Sequence, residues 1–88
     1  MAAYTVKYTD RASRQLERIP DPYRTRIGHK VMALANNPRL PASCKLQGSA
    51  SLHRIRVGSY RVLYEIHDTI VTVVVVAIGT RGAIYRHL

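Results

Sequence analysis

Hydrophobic and polar positions change their period along this chain, and each change marks an element. Tyr4, Val6 and Tyr8 alternate with Thr5 and Lys7, the two-residue period of a short strand with one covered face. From Asp10 the period lengthens: Ala12, Leu16 and Ile19 fall at helical spacing, with Thr9 or Asp10 placed to cap the helix. Arg11, Arg14 and Arg18 form a stripe on the opposite face, ordinarily the solvated side of such a helix. Pro20 ends it, and Asp21-Pro22 starts another, with Asp at the cap and Pro in the first turn. Tyr23, Ile27, Val31 and Leu34 make the second apolar stripe, which Asn36-Asn37-Pro38 stops, so two short helices are expected to form an antiparallel hairpin. Residues 39–51, with Pro41 and Gly48, read as a loop holding one apolar anchor, Leu46.

The second half returns to a period of two. Leu52 to Val57 alternates, Gly58-Ser59 suits a two-residue hairpin turn with Gly first, and Tyr60 to Ile66 alternates again. His67-Asp68-Thr69 makes the next turn, into Ile70 to Ile78, a nearly continuous apolar run that predicts a strand covered on both faces. Gly79-Thr80-Arg81-Gly82 is expected to break that strand, leaving Ala83 to Leu88 as a tail. The pattern predicts an α+β fold: an N-terminal strand and two-helix hairpin packed on a curved antiparallel β-sheet, in one domain over residues 1–88.

Composition narrows the function. The 88 residues carry fourteen Lys+Arg against five Asp+Glu, a net charge of +9. Eleven of the fourteen are Arg, the residue whose planar fork grips phosphate bidentately. Such a balance is the footprint of a nucleic-acid binder or of a protein with an acidic partner; the bland alternative is a solvated basic surface. The five acids are scattered, so neither the carboxylate cluster of a metal-dependent nuclease nor the facing pair of a glycosidase is in view. No metal or cofactor is expected, and any chemistry must run on Arg, Lys, Tyr and His. A domain of this length leaves no room for a separate substrate domain, so an active site is expected to lie open on the surface. The longest apolar run is far short of the ~20 residues of a membrane helix, no signal peptide is visible, and the single cysteine, Cys44, excludes an internal disulfide. A cytoplasmic location is the expectation.

A two-residue turn at Gly58-Ser59 sets Val57 opposite Tyr60, Arg56 opposite Arg61, Ile55 opposite Val62, Arg54 opposite Leu63 and His53 opposite Tyr64. One face of the hairpin then collects Ile55, Val57, Tyr60, Val62 and Tyr64; the other collects Arg54, Arg56 and Arg61. Two guanidinium groups ~5 Å apart repel by roughly 3 kcal/mol at an effective dielectric of 20. With so few acids to compensate, a bound phosphate is the natural counterion. Arg81 follows the last strand and is expected to reach the Arg56/Arg61 region. Tyr85, four residues on, adds a phenol able to stack on a base or move a proton, or merely to cover the sheet edge.

Leu46-Gln47-Gly48, the segment Leu52-His53-Arg54-Ile55-Arg56-Val57-Gly58-Ser59-Tyr60-Arg61-Val62-Leu63-Tyr64-Glu65-Ile66, Ile78-Gly79-Thr80-Arg81 and Ile84-Tyr85 resemble the RelE toxins of the RelE/ParE toxin–antitoxin superfamily. The resemblance covers nearly the whole chain; its Arg-x-Gly-x-Tyr-Arg-x-x-Tyr core is fairly specific, its helical half generic. It implies the toxin of a type II pair that enters the ribosomal A site and cuts mRNA without metal, the ribose 2′-hydroxyl attacking its own 3′ phosphate. Arg61 and Arg81 would hold the scissile phosphate and stabilise its growing charge, with Arg81 assisting the leaving 5′ oxygen. Tyr85 would orient or stack the nucleotides. Arg54 and Arg56 stand where these toxins often carry lysines for substrate grip and general-base work.

The sequence departs from the family there. Arginine stays protonated in proteins, so Arg54 and Arg56 suit charge stabilisation and not proton abstraction. A His frequent before the family's late Arg is Thr80 here, which removes one candidate; other branches of the family use a His near the chain end, and the resemblance to them makes His87 the candidate general base, the alternative being a bystander at the terminus. His53 points by parity to the packed face and reads as structural, while His29 and His67 have no supporting context. The implied partners are an acidic or amphipathic antitoxin wrapping the toxin, in an assembly able to bind its own promoter DNA, and mRNA on the ribosome. Two other readings share the scaffold: a ParE-like inhibitor of DNA gyrase, which would not need Arg61, Arg81 and Tyr85 together, and a basic nucleic-acid-binding module that grips without cutting.

Overall fold

The computed structural model of the chain describes residues 3–39, 44–45 and 52–80. In chain order they form β1 (Thr5–Tyr8), α1 (Asp10–Glu17), α2 (Tyr23–Ala33), β2 (Cys44–Lys45), β3 (Leu52–Val57), β4 (Tyr60–His67) and β5 (Thr72–Thr80). One sheet takes all the strands, in the order β1-β5-β4-β3-β2. Pairing is antiparallel from β2 through β5, and β1 adds in parallel on the far side of β5, Thr5 opposite Thr72 and Tyr8 opposite Val75. The antiparallel sheet expected from the alternation thus gains one parallel edge, made possible because both helices intervene before the chain returns.

Local chemistry starts α1 where the polar residues placed it, whereas α2 has Pro22 and not Asp21 at its N-cap, with no side-chain cap hydrogen bond. Thr9 is the N-cap of α1, its Oγ1 accepting a hydrogen bond from Ala12 N at 3.1 Å. Ahead of α2, one Asp21 oxygen accepts from both the backbone N–H (3.2 Å) and the hydroxyl (2.7 Å) of Thr25, and the other pairs with Arg24 at 3.0 Å. The Thr25 hydroxyl first, then the Arg24 charge, hold the Asp21 carboxyl below its ordinary pKa.

Both helices press their apolar stripes on one face of the sheet. Ala12, Ile27, Val31 and Leu34 meet Ile55, Val62, Tyr64, Val73 and Val75 there, all essentially inaccessible to water. Each fully buried aliphatic side chain contributes about 1.5–3 kcal/mol. Tyr64, the largest of them, donates its hydroxyl to Pro38 O at 2.7 Å, so its burial leaves no unpaired phenol. His53 stacks on the Tyr64 ring, centroids 5.6 Å apart, in the structural role its parity predicted. Across the sheet Leu52, Leu63 and Ala77 form a second, smaller apolar cluster with Val76.

Several boundaries differ from the sequence reading. The loop after α2 contains β2, whose Cys44 pairs with Arg54 in register; Leu46 lies outside the described residues. The last strand starts at Thr72, because the turn runs on through Val71: Val71 N donates to Asp68 O at 3.2 Å, Val71 has φ 51°, and Ile70 is exposed. Gly79 and Thr80 do not break β5 but pair with Arg61 and Tyr60. Tyr23 belongs to the α2 stripe yet is 39% exposed, lying over the hairpin turn against Tyr60, ring centroids 5.7 Å apart.

One irregularity governs the rest. Leu63 pairs with Ala77 but Tyr64 pairs with Val75, so Val76 is an extra residue, a β-bulge in β5. Before it the odd positions Val73 and Val75 face the helices; after it the even position Ile78 does. Ala77 and Gly79 therefore turn to the other face.

Candidate active site

The β3–β4 register is the one the Gly58-Ser59 turn predicted. Val57 pairs with Tyr60, Arg56 with Arg61, Ile55 with Val62 and Arg54 with Leu63, with Gly58 at φ +60°. Because Ile55, Val57 and Val62 enter the helix-side core, alternation sends Arg54, Arg56 and Arg61 to the opposite face. The structure brings these three sequence-predicted site residues together. Arg81, Tyr85 and His87 lie outside the described residues, as does Gln47-Gly48.

The three arginines are not equivalent. Arg56 is exposed and Arg54 half-buried, whereas Arg61 is only 8% exposed. Within the face expected to lie open, Arg56 reaches solvent while Arg61, on a strand flanked by β3 and β5, is buried. Its Nε is buried and has no hydrogen-bond partner among the described residues. An unsatisfied buried donor costs about 1–3 kcal/mol, and more on a charged group. Like charges directly opposite each other, as Arg56 and Arg61 are, add to that cost. On its other side Arg61 has Gly79, which brings no side chain against the guanidinium. This end of the face is rich in donors and strained electrostatically, an arrangement an anion relieves.

Farther along β4 the same face changes character. Leu63 and Ala77 give it an apolar middle, and beyond them Glu65 Oε1 lies 2.9 Å from His67 Nε2. His67 thus acquires a context that its sequence neighbours did not suggest. His29 is exposed on α2. Among the described residues no three of His, Cys, Asp and Glu come together.

Beyond the helix side, Arg11, Arg14, Gln15 and Arg18, one stripe of α1, line a surface depression of about 320 Å³. Gln15 was not singled out by sequence reasoning, and neither was Gly79: a polar residue on a charged helix and a glycine near a strand end carry no distinguishing pattern. In the structure Gln15 Oε1 accepts a hydrogen bond from Ile78 N at 2.7 Å, one residue from Gly79.

A mixed sheet with two helices on one face and clustered arginine on the other defines a small α+β scaffold with a cationic face. The family of ParE toxins of type II toxin–antitoxin systems, parDE, matches residues 6–85. Among curated relatives, the toxin RelE of Mycobacterium tuberculosis is 34% identical over 84 residues, covering 94% of this chain and 87% of its own. The mRNA interferase toxin RelE of Escherichia coli is 28% identical over 81 residues, covering 90% and 84%. Among solved structures, the intact E. coli RelBE toxin–antitoxin complex is similar with a TM-score of 0.81 at 27% identity, over 90% of this chain and 98% of the other. A RelBE toxin–antitoxin complex of M. tuberculosis gives a TM-score of 0.80 at 31% identity, over 92% and 94%. The chain belongs to the RelE/ParE family of type II toxins and is a RelE-like member of it.

Proposed function

We propose that the protein is the toxin of a type II pair acting as a metal-independent endoribonuclease on mRNA, in the ribosomal A site, and so inhibiting translation. The observation that carries this reading is the buried, unpaired Nε of Arg61 beside a second guanidinium, Arg56, and a side-chain-free Gly79. A phosphodiester lying over this pair screens the two cations from each other. Two features support the finer points: the E. coli relative is named an mRNA interferase, and the solved relatives include toxins held in complex with RelB antitoxin. A cognate antitoxin is accordingly the expected restraint, its acidic side chains competing for the same arginines.

In the reaction the 2′ oxygen bonds to phosphorus as the bond to the 5′ oxygen breaks, leaving a 2′,3′-cyclic phosphate on one product and a 5′-hydroxyl on the other. The 2′ proton passes to a base and the 5′ oxygen takes up a proton. Arg61 stabilises the charge that builds on the phosphoryl oxygens, Arg54 and Arg56 grip the flanking backbone, and Arg81 joins them at the leaving group. Tyr85 orients the nucleotides and His87 is the candidate base, roles that rest on family resemblance. With arginine at the positions of a basic lysine, most of the barrier lowering falls to electrostatics and alignment, and the ribosome supplies the alignment.

Primer extension on an mRNA under translation tests the proposal. Discrete cuts made by wild type and absent with Arg61→Ala support it. Intact mRNA together with inhibited supercoiling by DNA gyrase would replace it with the gyrase reading that the ParE family description invites.

A further inference from the structure

β1 ends at Tyr8, opposite Val75, and from there the outer edge of β5 has no strand beside it among the described residues. Bare edge groups need partners, and α1 supplies them. Thr9 N donates to Val75 O at 2.9 Å, and the Thr9 hydroxyl donates to Val76 O at 3.3 Å. Ile78 N donates to Gln15 Oε1 at 2.7 Å, a part-buried bond that joins residues 63 apart in sequence. These contacts bracket the bulge at Val76.

The bulge decides which face Gly79 takes. Without the extra residue the alternation of Val73 and Val75 would carry Ala77 and Gly79 toward the helices and put Ile78 against Arg61. The valine run from Val73 to Val76 has no side-chain pattern that would pin the extra residue to one place. The pin comes from α1. We infer that Gln15 is a positioning residue for the cleavage face: through the Ile78 amide it fixes the bulged path of β5, which holds Gly79 against Arg61. The helix therefore acts across the sheet on a site it does not touch. This inference rests on the endoribonuclease reading above.

The test compares wild type, Gln15→Leu, Gln15→Glu and Arg61→Ala in single-turnover cleavage of translated mRNA, with amide hydrogen exchange read residue by residue. Gln15→Leu removes the acceptor and leaves an apolar side chain one atom shorter; kcat should fall by roughly 100-fold, the scale of a misplacement near 1 Å, with KM nearly unchanged. Exchange should rise at Ile78 and Gly79 while the amides of Val62, Tyr64 and Val75 stay protected. Gln15→Glu retains an oxygen for the Ile78 N–H and should recover most of the activity. Wild-type kcat in Gln15→Leu overturns the inference, as does equal damage in Gln15→Glu. Loss of protection throughout the sheet overturns it too, since Gln15 would then be holding the fold and not the site. Wild type that leaves mRNA intact removes the enzymatic reading and this inference with it, whereas cleavage abolished by Arg61→Ala but indifferent to Gln15→Leu removes this inference alone.

Discussion

The two faces of one sheet are built on opposite energetic terms. On the helix side β3, β4 and β5 present Ile55, Val62, Tyr64, Val73 and Val75, and the buried Tyr64 phenol has its hydrogen bond. On the other side the same strands set Arg56 against Arg61, bury the second and leave its Nε unpaired. The first face supplies the stability that the second spends. A domain whose net stability is about 5–15 kcal/mol can hold a few such conflicts and no more. Their concentration at one end of one face is the physical signature of a site.

The comparison can be broken from either side. Val75→Asp places a charge among α1, β1 and the inner sheet and should unfold the domain, read as loss of the cooperative thermal transition. Arg61→Ala should separate the two terms most sharply: mRNA cleavage falls by about 100- to 1000-fold, the cost of one donor at a developing charge, while Tm holds or rises because a buried Nε without a partner and a like charge opposite Arg56 have gone. A lowered Tm would mean that Arg61 is an ordinary packing residue.

Smaller changes refine the picture. Arg56→Ala removes an exposed cation; binding of single-stranded RNA should weaken several-fold, and the slope of log K against log salt should drop by about 0.7 in a salt titration. Tyr64→Phe leaves the buried Pro38 carbonyl without its donor and should cost about 1–3 kcal/mol by urea unfolding, with cleavage intact. The smallest effect concerns Asp68, which accepts from Arg39 at 3.2 and 2.8 Å and from the Tyr4 hydroxyl at 2.6 Å, tying the turn before β5 to both ends of the helical half. Arg39 first, then Tyr4, hold its carboxyl below the ordinary value. The folded pKa is thus lower than the unfolded one, so this stabilisation is complete above about pH 4 and is lost as pH falls through the folded pKa. The Tm gap between wild type and Asp68→Asn should be present at neutral pH and close under acid.

The sequence was most legible where local chemistry decides the structure. Thr9 as cap, Asp21 ahead of α2 and the Gly58-Ser59 turn each act within a few residues, and the turn alone fixed which arginines oppose which. Long-range pairing was less visible. Nothing in the Thr5–Tyr8 alternation says which strand it joins or in which direction, and four consecutive valines conceal the bulge at Val76. Burial of Arg61 was hidden for a related reason: arginine is mostly exposed, and the central place of β4 in the sheet order is a long-range result that local pattern does not carry. The parts of the proposed site carried by Arg81, Tyr85 and His87 stay with family resemblance.

The sheet order also dictates when the arginine face can exist. β5 lies between β1 and β4, so the earliest strand and the hairpin cannot be joined until residues 72–80 have been synthesised. Contacts such as Thr9 to Val76 close loops of 67 residues, the kind of pairing that folds slowly. A nascent chain can carry every guanidinium of the β3–β4 hairpin and still lack the strand that turns Gly79 toward them. The cationic face is therefore completed, by topology alone, only after β5 has been made.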